Sequence, residues 1–313
     1  VQVAHFIGAN DFVKARQVMR HALVATLAFS VLVTLCASLI AFRLPGWLRG
    51  GDDIAHDASL YFLIYALSLP FLQLGILSSN MLKSAGNMQI PSIMSVLMCV
   101  LDVCFNYLFI YVAGLGVPGA ALGTVLSIAI VASVEAWFAL FRSSILALRL
   151  DKERFVWMWS YVRNAVKISA PIAAQYVLMS GAQIVSTYIV APLGNFAIAA
   201  NTFAITAESL CYMPGYGIGD AATTLVGQSM GAGQYGLCRS FAKLTVGMGM
   251  AVMALMGVVM YVFAPEMIGL MTPVEEIHDL GTQVLRIEAF AEPMFAAAIV
   301  GNSVCVGAGD TLK

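Results

Sequence analysis

Charged side chains are scarce in this chain: Asp, Glu, Lys and Arg make up only 11% of its 313 residues. A soluble domain carries about 25%, so the surface a globular fold would need cannot be built from this composition. Apolar residues reach 60% and mean hydropathy is +0.88, which places the apolar faces against lipid. The net charge of −1 offers nothing to nucleic acid. Four histidines (His5, His21, His56, His278) stand without HExxH-like spacing, and no P-loop, GxSxG or dinucleotide fingerprint occurs, which excludes ATP hydrolysis and the common enzyme chemistries. The six cysteines (Cys36, Cys99, Cys104, Cys211, Cys238, Cys305) are scattered through apolar runs with no CxxC pair. They read as small buried hydrophobes, neither a disulfide framework nor a metal site. No secretory pattern opens the chain at Val1, and a fragment is expected.

What is present is a set of long apolar runs. Eight of them, near 20–42, 58–82, 90–113, 118–142, 167–191, 196–226, 241–264 and 281–307, meet the length of about 20 residues that a spanning helix requires. Thirteen of the sixteen Lys and Arg fall on one side, with the cluster from Arg142 to Lys167 the densest; the other side carries Asp52, Asp53, Asp57, Glu266, Glu275, Glu276 and Asp279. The positive-inside rule makes the basic side cytoplasmic and the protein a multi-pass component of the inner (plasma) membrane. The segment 143–166, charged and aromatic together, is expected to lie along the inner surface as an amphipathic linker or to be a solvated loop.

The chain also repeats itself at a spacing of 223 residues: Gly8-Ala9 returns as Gly231-Ala232, Arg16 as Arg239, Pro70 as Pro293, and Ala85-Gly86-Asn87 as Ala308-Gly309-Asp310. Pro45 and Pro265 point to small compensating gaps between. So long a spacing excludes solenoids and indicates duplication of a whole helical bundle. Six spans separate the two Gly-Ala loops, an even number, so the copies share one topology. The expected fold is an all-α integral membrane protein of two pseudo-symmetric six-helix lobes, with eight of the twelve helices present. The divisions are 1–142 for the first lobe, 143–166 for the linker and 167–313 for the second lobe.

The loops His5–Asp11 and Gly227–Gly233, the turns Leu82–Asn87 and Val306–Thr311, the start of the fourth span at Gly116–Ala121 and the segment Leu193–Ala200 together resemble the MATE (multidrug and toxic compound extrusion) transporters. The resemblance covers essentially the whole chain and numbers its spans as helices three to ten. It implies a secondary antiporter, not an enzyme. Such a protein exports organic, often cationic, drug-like compounds in exchange for Na⁺ or H⁺ and needs no other cofactor. A monomer is expected.

Ionisable groups inside a membrane are costly and rare, which makes each one a functional candidate. Asp102 lies midway along the third span with Asn106 four residues on, on the same face, a half-built Na⁺ site or proton acceptor. The alternative is a protonated Asp102 hydrogen-bonded between helices. DinF-like MATE proteins carry an Asn-x-x-x-Asp pair here and a threonine on the next helix. The match in this chain is Asp102, Asn106 and Thr124, with acid and amide exchanged. In the NorM-like branch the seventh helix carries a glutamate and the tenth an aspartate, where this chain has Met179 and roughly Phe295. Glu288 and Glu292, four apart beside Pro293, are read as a substitute carboxylate pair that cannot both ionise. Arg286 is two residues from Glu288 and cannot face it along one helix.

Gln175, Tyr176, Met179, Gln183 and Glu208, with Tyr212, Met213 and Tyr216, suit a drug-binding wall, while core packing and interhelical hydrogen bonding are the plainer readings. Glu135 and Asp220, toward span ends, are read as reaching an interface or a loop partner. Pro70 and Pro293 occupy matching mid-helix positions in the two copies, natural hinges for rocking. Within transport the rival is a lipid-linked precursor flippase of the same superfamily, which needs a cationic cavity; outside it, a receptor or scaffold. Paired six-helix units predict that residues 1–313 alone, reconstituted in liposomes, show no gradient-driven export of an organic cation. Measurable export would overturn the pairing.

Overall fold

A computed structural model describes residues 1–43, 52–148, 157–190, 192 and 194–311. Within these the chain is helical: α1 (Gln2–Gly8), α2 (Phe12–Ile40), α3 (Asp52–Ser84), α4 (Gln89–Tyr107), α5 (Gly116–Trp137), α6 (Trp159–Val190), α7 (Asn195–Gly231), α8 (Tyr235–Gly269), α9 (Glu275–Glu288) and α10 (Glu292–Ala308). π-helical turns close α4 over Leu108–Val112 and α5 over Phe138–Arg142. Helices prevail because lipid offers no partner for a free backbone N–H or C=O. Residues 149–156 of the 143–166 linker, with Arg149, Lys152 and Arg154, lie outside the described residues, as do Pro45, Arg49, Leu193 and Lys313.

Among the described residues six helices are long and apolar enough to cross a membrane, and the bent pair α9–α10, taken as one span, makes a seventh. The eighth expected span, α7, is a continuous helix of 37 residues, long enough at ~1.5 Å per residue. Its Gly, Ser and Thr content and its Glu208 and Asp220 hold its apolarity lower.

The chain divides into two compact units, and the division differs from the expected lobes. Asn10–Met158 forms one unit, while Val1–Ala9 joins Trp159–Lys313 in the other. In the first, α3 packs on α5 and α2, and α4 on α5. In the second, α7 packs on α8 and α10, and α1 lies against α7. Glycine explains where α1 goes. A Cβ on Gly8 would collide with the Gln228 carbonyl, and one on Gly231 with the His5 carbonyl. These are repeat-equivalent pairs, 223 apart in each case, so the crossing is reciprocal. His5 adds a ring N–H donated to the Gly307 carbonyl at 2.8 Å.

The repeat holds in backbone detail. Asn10 and Gly233 both have positive φ, 59° and 70°. The following N-caps, Asp11 and Gln234, share φ/ψ of −93/71 and −91/69. Gly86 and Gly309 take φ of 84° and 81°, and the Asn87 and Asp310 amides bond back to Leu82 and Cys305. Asp11 strengthens its cap by accepting from the Lys14 amide and pairing with the Lys14 ammonium at 2.8 Å, contacts that hold its carboxyl below its ordinary range.

The symmetry breaks at the prolines. Pro70 sits inside a helix continuous from Asp52 to Ser84. Pro293 is not mid-helix: it is the second residue of α10, after a break over Ala289–Ala291 where α9 and α10 bend by 57°. Proline cannot donate to the carbonyl four residues back. That carbonyl, on Ala289, is pressed against Gly257 of α8, where a Cβ would lie 2.7 Å away. Another proline, Pro265, similarly deprives the Tyr261 carbonyl, and the Arg286 guanidinium caps it at 3.4 Å while lying 5.4 Å from the Tyr261 ring centroid. Arg286 thus has a structural partner on another helix.

Gly231→Val should destabilise the second unit by more than ~3 kcal/mol, because the obstacle is backbone and cannot repack. Gly236→Ala, where no atom lies within 4 Å of the new Cβ, should be neutral or stabilising. Thermal unfolding in detergent checks both; equal melting temperatures would remove the crossing as a stabilising contact.

Candidate functional site

In the Asn10–Met158 unit, α4 and α5 approach most closely at Gly123, where an added Cβ would collide with the Asn106 side-chain oxygen and stand 2.9 Å from the Asn106 amide nitrogen. The same approach buries polar atoms. The Oδ1 atoms of Asp102 and Asn106 are shielded from solvent and have no hydrogen-bond partner. They lie one turn apart on one face of α4. Thr124 follows Gly123 directly on α5 and is half-buried. Ser127, fully buried, donates to the Gly123 carbonyl at 2.9 Å, so it props the crossing and leaves the two oxygens free. The π-helical turn begins two residues after Asn106, and such insertions recur at functional sites. A buried oxygen with no donor nearby costs free energy unless a cation or proton supplies the missing charge.

The other unit holds a second group. Glu208 on α7, Glu288 at the end of α9 and Glu292 at the start of α10 lie within electrostatic reach of one another. Glu292 is 0% exposed, and both of its carboxylate oxygens lack a partner, as does Glu288 Oε2. The expectation of a carboxylate pair on one continuous helical face is corrected here. The helix breaks between Glu288 and Glu292, and it is the bend that turns Glu292 inward against Gly257 of α8, whose Cβ position is 3.3 Å from Glu292 Cβ.

Beside the glutamates runs an aromatic wall. Glu208, Tyr212 and Tyr216 follow at four-residue intervals on one face of α7. Tyr212 packs edge-on against Tyr216 at 5.7 Å and against Phe295 at 5.8 Å between ring centroids. Tyr176 of α6 lies within electrostatic reach of Tyr216. Gln175 and Met179 line an open depression of about 580 Å³ with Pro171, Leu178 and Thr311, whereas Gln183 is exposed further along α6. Met213 is also exposed. Phe295 stands in the sequence where an acid is absent; its i+3 spacing from Glu292 is the signal that it faces the same wall. For Glu135 and Asp220 the expectation is an interface or a loop partner. In the structure Glu135 is 6% exposed, turned into the packing of α5 on α3, while Asp220 is exposed. Among the described residues no group of three or more His, Cys, Asp or Glu side chains is arranged to hold a metal ion.

An unpartnered buried carboxylate is a liability to stability. Glu292→Leu should therefore raise the stability of the protein by about 1–3 kcal/mol, read as a higher melting temperature in detergent. A lower one would mean that Glu292 has a partner in the folded protein.

Comparison with known proteins places this geometry. The family model MatE matches residues 1–108 and 171–313. The chain is 24% identical over 317 residues to a probable multidrug resistance protein NorM of Thermotoga maritima, covering 100% of this chain and 68% of that protein. Among solved structures, a MATE in complex with MaD3S superposes with a TM-score of 0.92 at 20% identity, covering 99% of this chain and 69% of that one. The Vibrio cholerae MATE transporter VcmN in its bent form gives 0.89 at 19%, covering 99% and 70%. The chain thus spans about two thirds of the length of these relatives. The fold is the two-lobe MATE fold, and the chain belongs to the MatE family of multi-pass membrane transporters, which are not enzymes.

Proposed function

We propose that the transporter containing this chain exports organic, cationic, drug-like compounds across the inner membrane as a monomer, in exchange for inward Na⁺ or H⁺. Asp102, Asn106 and Thr124 bind the coupling ion. The observation that carries this reading is the pair of buried, unpartnered oxygens one turn apart on α4, with that of Asn106 against Gly123. Carboxylate, amide carbonyl and hydroxyl oxygens are the ligand set a hard monovalent cation needs, and the carboxylate alone suffices for a proton. No other cofactor is required. If Na⁺ is the ion, Asp102 and Asn106 are its metal ligands.

Substrate is taken up by the acid and aromatic wall of the other unit, formed by Glu208, Tyr212, Tyr216, Glu292 and Phe295, with Gln175, Tyr176, Met179 and Gln183 contributing from α6. Negative charge beside ring faces attracts a cationic aromatic molecule. That chemistry argues against the lipid-linked precursor flippase, whose pyrophosphate needs free cations: Arg286 is engaged by the Tyr261 carbonyl and ring. A second reading, in which the ion binds at Glu292, is favoured by the complete burial of that carboxylate. The rocking that alternates access is absorbed at Pro70 and at the break before Pro293.

In full-length protein reconstituted into liposomes, Asp102→Asn should abolish ion-driven ethidium export while ethidium binding persists. Gly123→Ala, whose methyl collides with the Asn106 oxygen, should do the same. Export unchanged in both, with loss in Glu292→Gln, would transfer the coupling site to Glu292.

A further inference from the structure

In the Asn10–Met158 unit, α3, α4 and α5 line an open-sided cavity of about 150 Å³ that lies toward the basic ends of these helices. Its wall is apolar except for Ser79 of α3, Ser95 of α4 and Glu135 of α5. The space is well above the ~10–15 Å³ that holds one water molecule, and three polar side chains suffice to anchor water there. It is kept open by Gly75: a Cβ at that position would stand 3.1 Å from the Ala132 methyl and 3.9 Å from Glu135 Oε2.

Helical spacing ties this cavity to the proposed ion site. Ser95 and Asp102 are seven residues apart on α4, within ~20° of the same face. Thr124 and Glu135 are eleven apart on α5, again within ~20° of one face. Both helices therefore carry one polar stripe from the crossing at Gly123 toward the basic side, with Ser127 between, bonded to the Gly123 carbonyl. Met98 is the one-turn step between the cavity and Asp102. The charged groups around Glu135 are Lys83 of α3, within electrostatic reach, and, at the end of its own helix, Arg142, whose guanidinium lies 5.6 Å from the Trp137 ring centroid. The α4 wall adds no charge.

We propose that Glu135 is the inner relay of the coupling cation: an ion or proton released from Asp102 and Asn106 crosses the cavity past Ser95 and Ser79 to the Glu135 carboxylate and leaves beside Lys83. A proton taking this route passes from water in the cavity to the Glu135 carboxylate, which hands it on to water at the basic face. The relay rests on the ion site proposed above. The competing role for Glu135 is a structural ion pair with Lys83 that clamps α5 to α3.

The experiment compares Glu135→Gln, Glu135→Asp, Lys83→Gln and Asp102→Asn in full-length protein. It measures ethidium export driven separately by pH and Na⁺ gradients, ethidium affinity, and melting temperature. The relay predicts that Glu135→Gln slows export on the order of tenfold or more under the coupling gradient. Ethidium affinity and melting temperature stay at wild-type values, Glu135→Asp restores most of the rate, and Lys83→Gln retains it. Wild-type export by Glu135→Gln overturns the relay; so does a parallel fall in rate and melting temperature in Glu135→Gln and Lys83→Gln, which is the clamp. Loss in Asp102→Asn alone leaves the ion site standing without the relay, whereas wild-type export by Asp102→Asn defeats the ion site itself.

Discussion

A polar atom buried in a membrane protein without a partner is the constraint on which this structure turns. Among the described residues almost every such atom is given one. Backbone amides are taken up by helices, the Tyr261 carbonyl freed by Pro265 is capped by Arg286, and serine and threonine hydroxyls bond back along their own helices. Against that background the exceptions among the described residues are few, and apart from the Arg16 Nε and the Thr282 hydroxyl they gather. Asp102 and Asn106 form one set and Glu288 with Glu292 another, each set at a close approach made by a glycine, Gly123 and Gly257. On the function proposed above, these two sets are held open for something that arrives and departs.

Glycine and proline do complementary work around those sets. Glycines let helices touch, and at Gly8 and Gly231 they let the two copies of the repeat meet reciprocally. Prolines remove hydrogen bonds, and the two copies use them differently: α3 runs through Pro70, while the matching segment breaks before Pro293 and swings Glu292 inward. The duplication supplies two equal units, and this one departure gives one unit a buried carboxylate that the other lacks at the equivalent place. The proposed division of labour between ion and substrate rests on that difference.

Much of this was legible in residues alone. The 223-residue register appears again in backbone angles, in Asn10 against Gly233 and Gly86 against Gly309, because the glycine and asparagine positions that carry the repeat are the ones where chain direction requires a left-handed turn. The Asp102–Asn106 face was legible because helical spacing fixes it. What periodicity does not reveal is a break. The 57° bend between α9 and α10 depends on how Ala289 meets Gly257, a contact 32 residues away in sequence, so Glu288 and Glu292 read falsely as one face. The place of α1 was hidden for the same reason, since its glycine contacts lie more than two hundred residues along the chain. Glu135 was misplaced because span ends were drawn by hydropathy, which cannot see that Gly75 opens room for a carboxylate.

The central claim is that Asp102 and Asn106 hold the coupling ion, and the most direct measurement is the carboxyl carbon resonance of Asp102 in labelled, membrane-embedded full-length protein. The resonance should shift on addition of Na⁺ or on acidification, whichever ion drives export, and should shift back when substrate saturates the transporter. A resonance indifferent to both ions in a preparation that still exports substrate would contradict the claim.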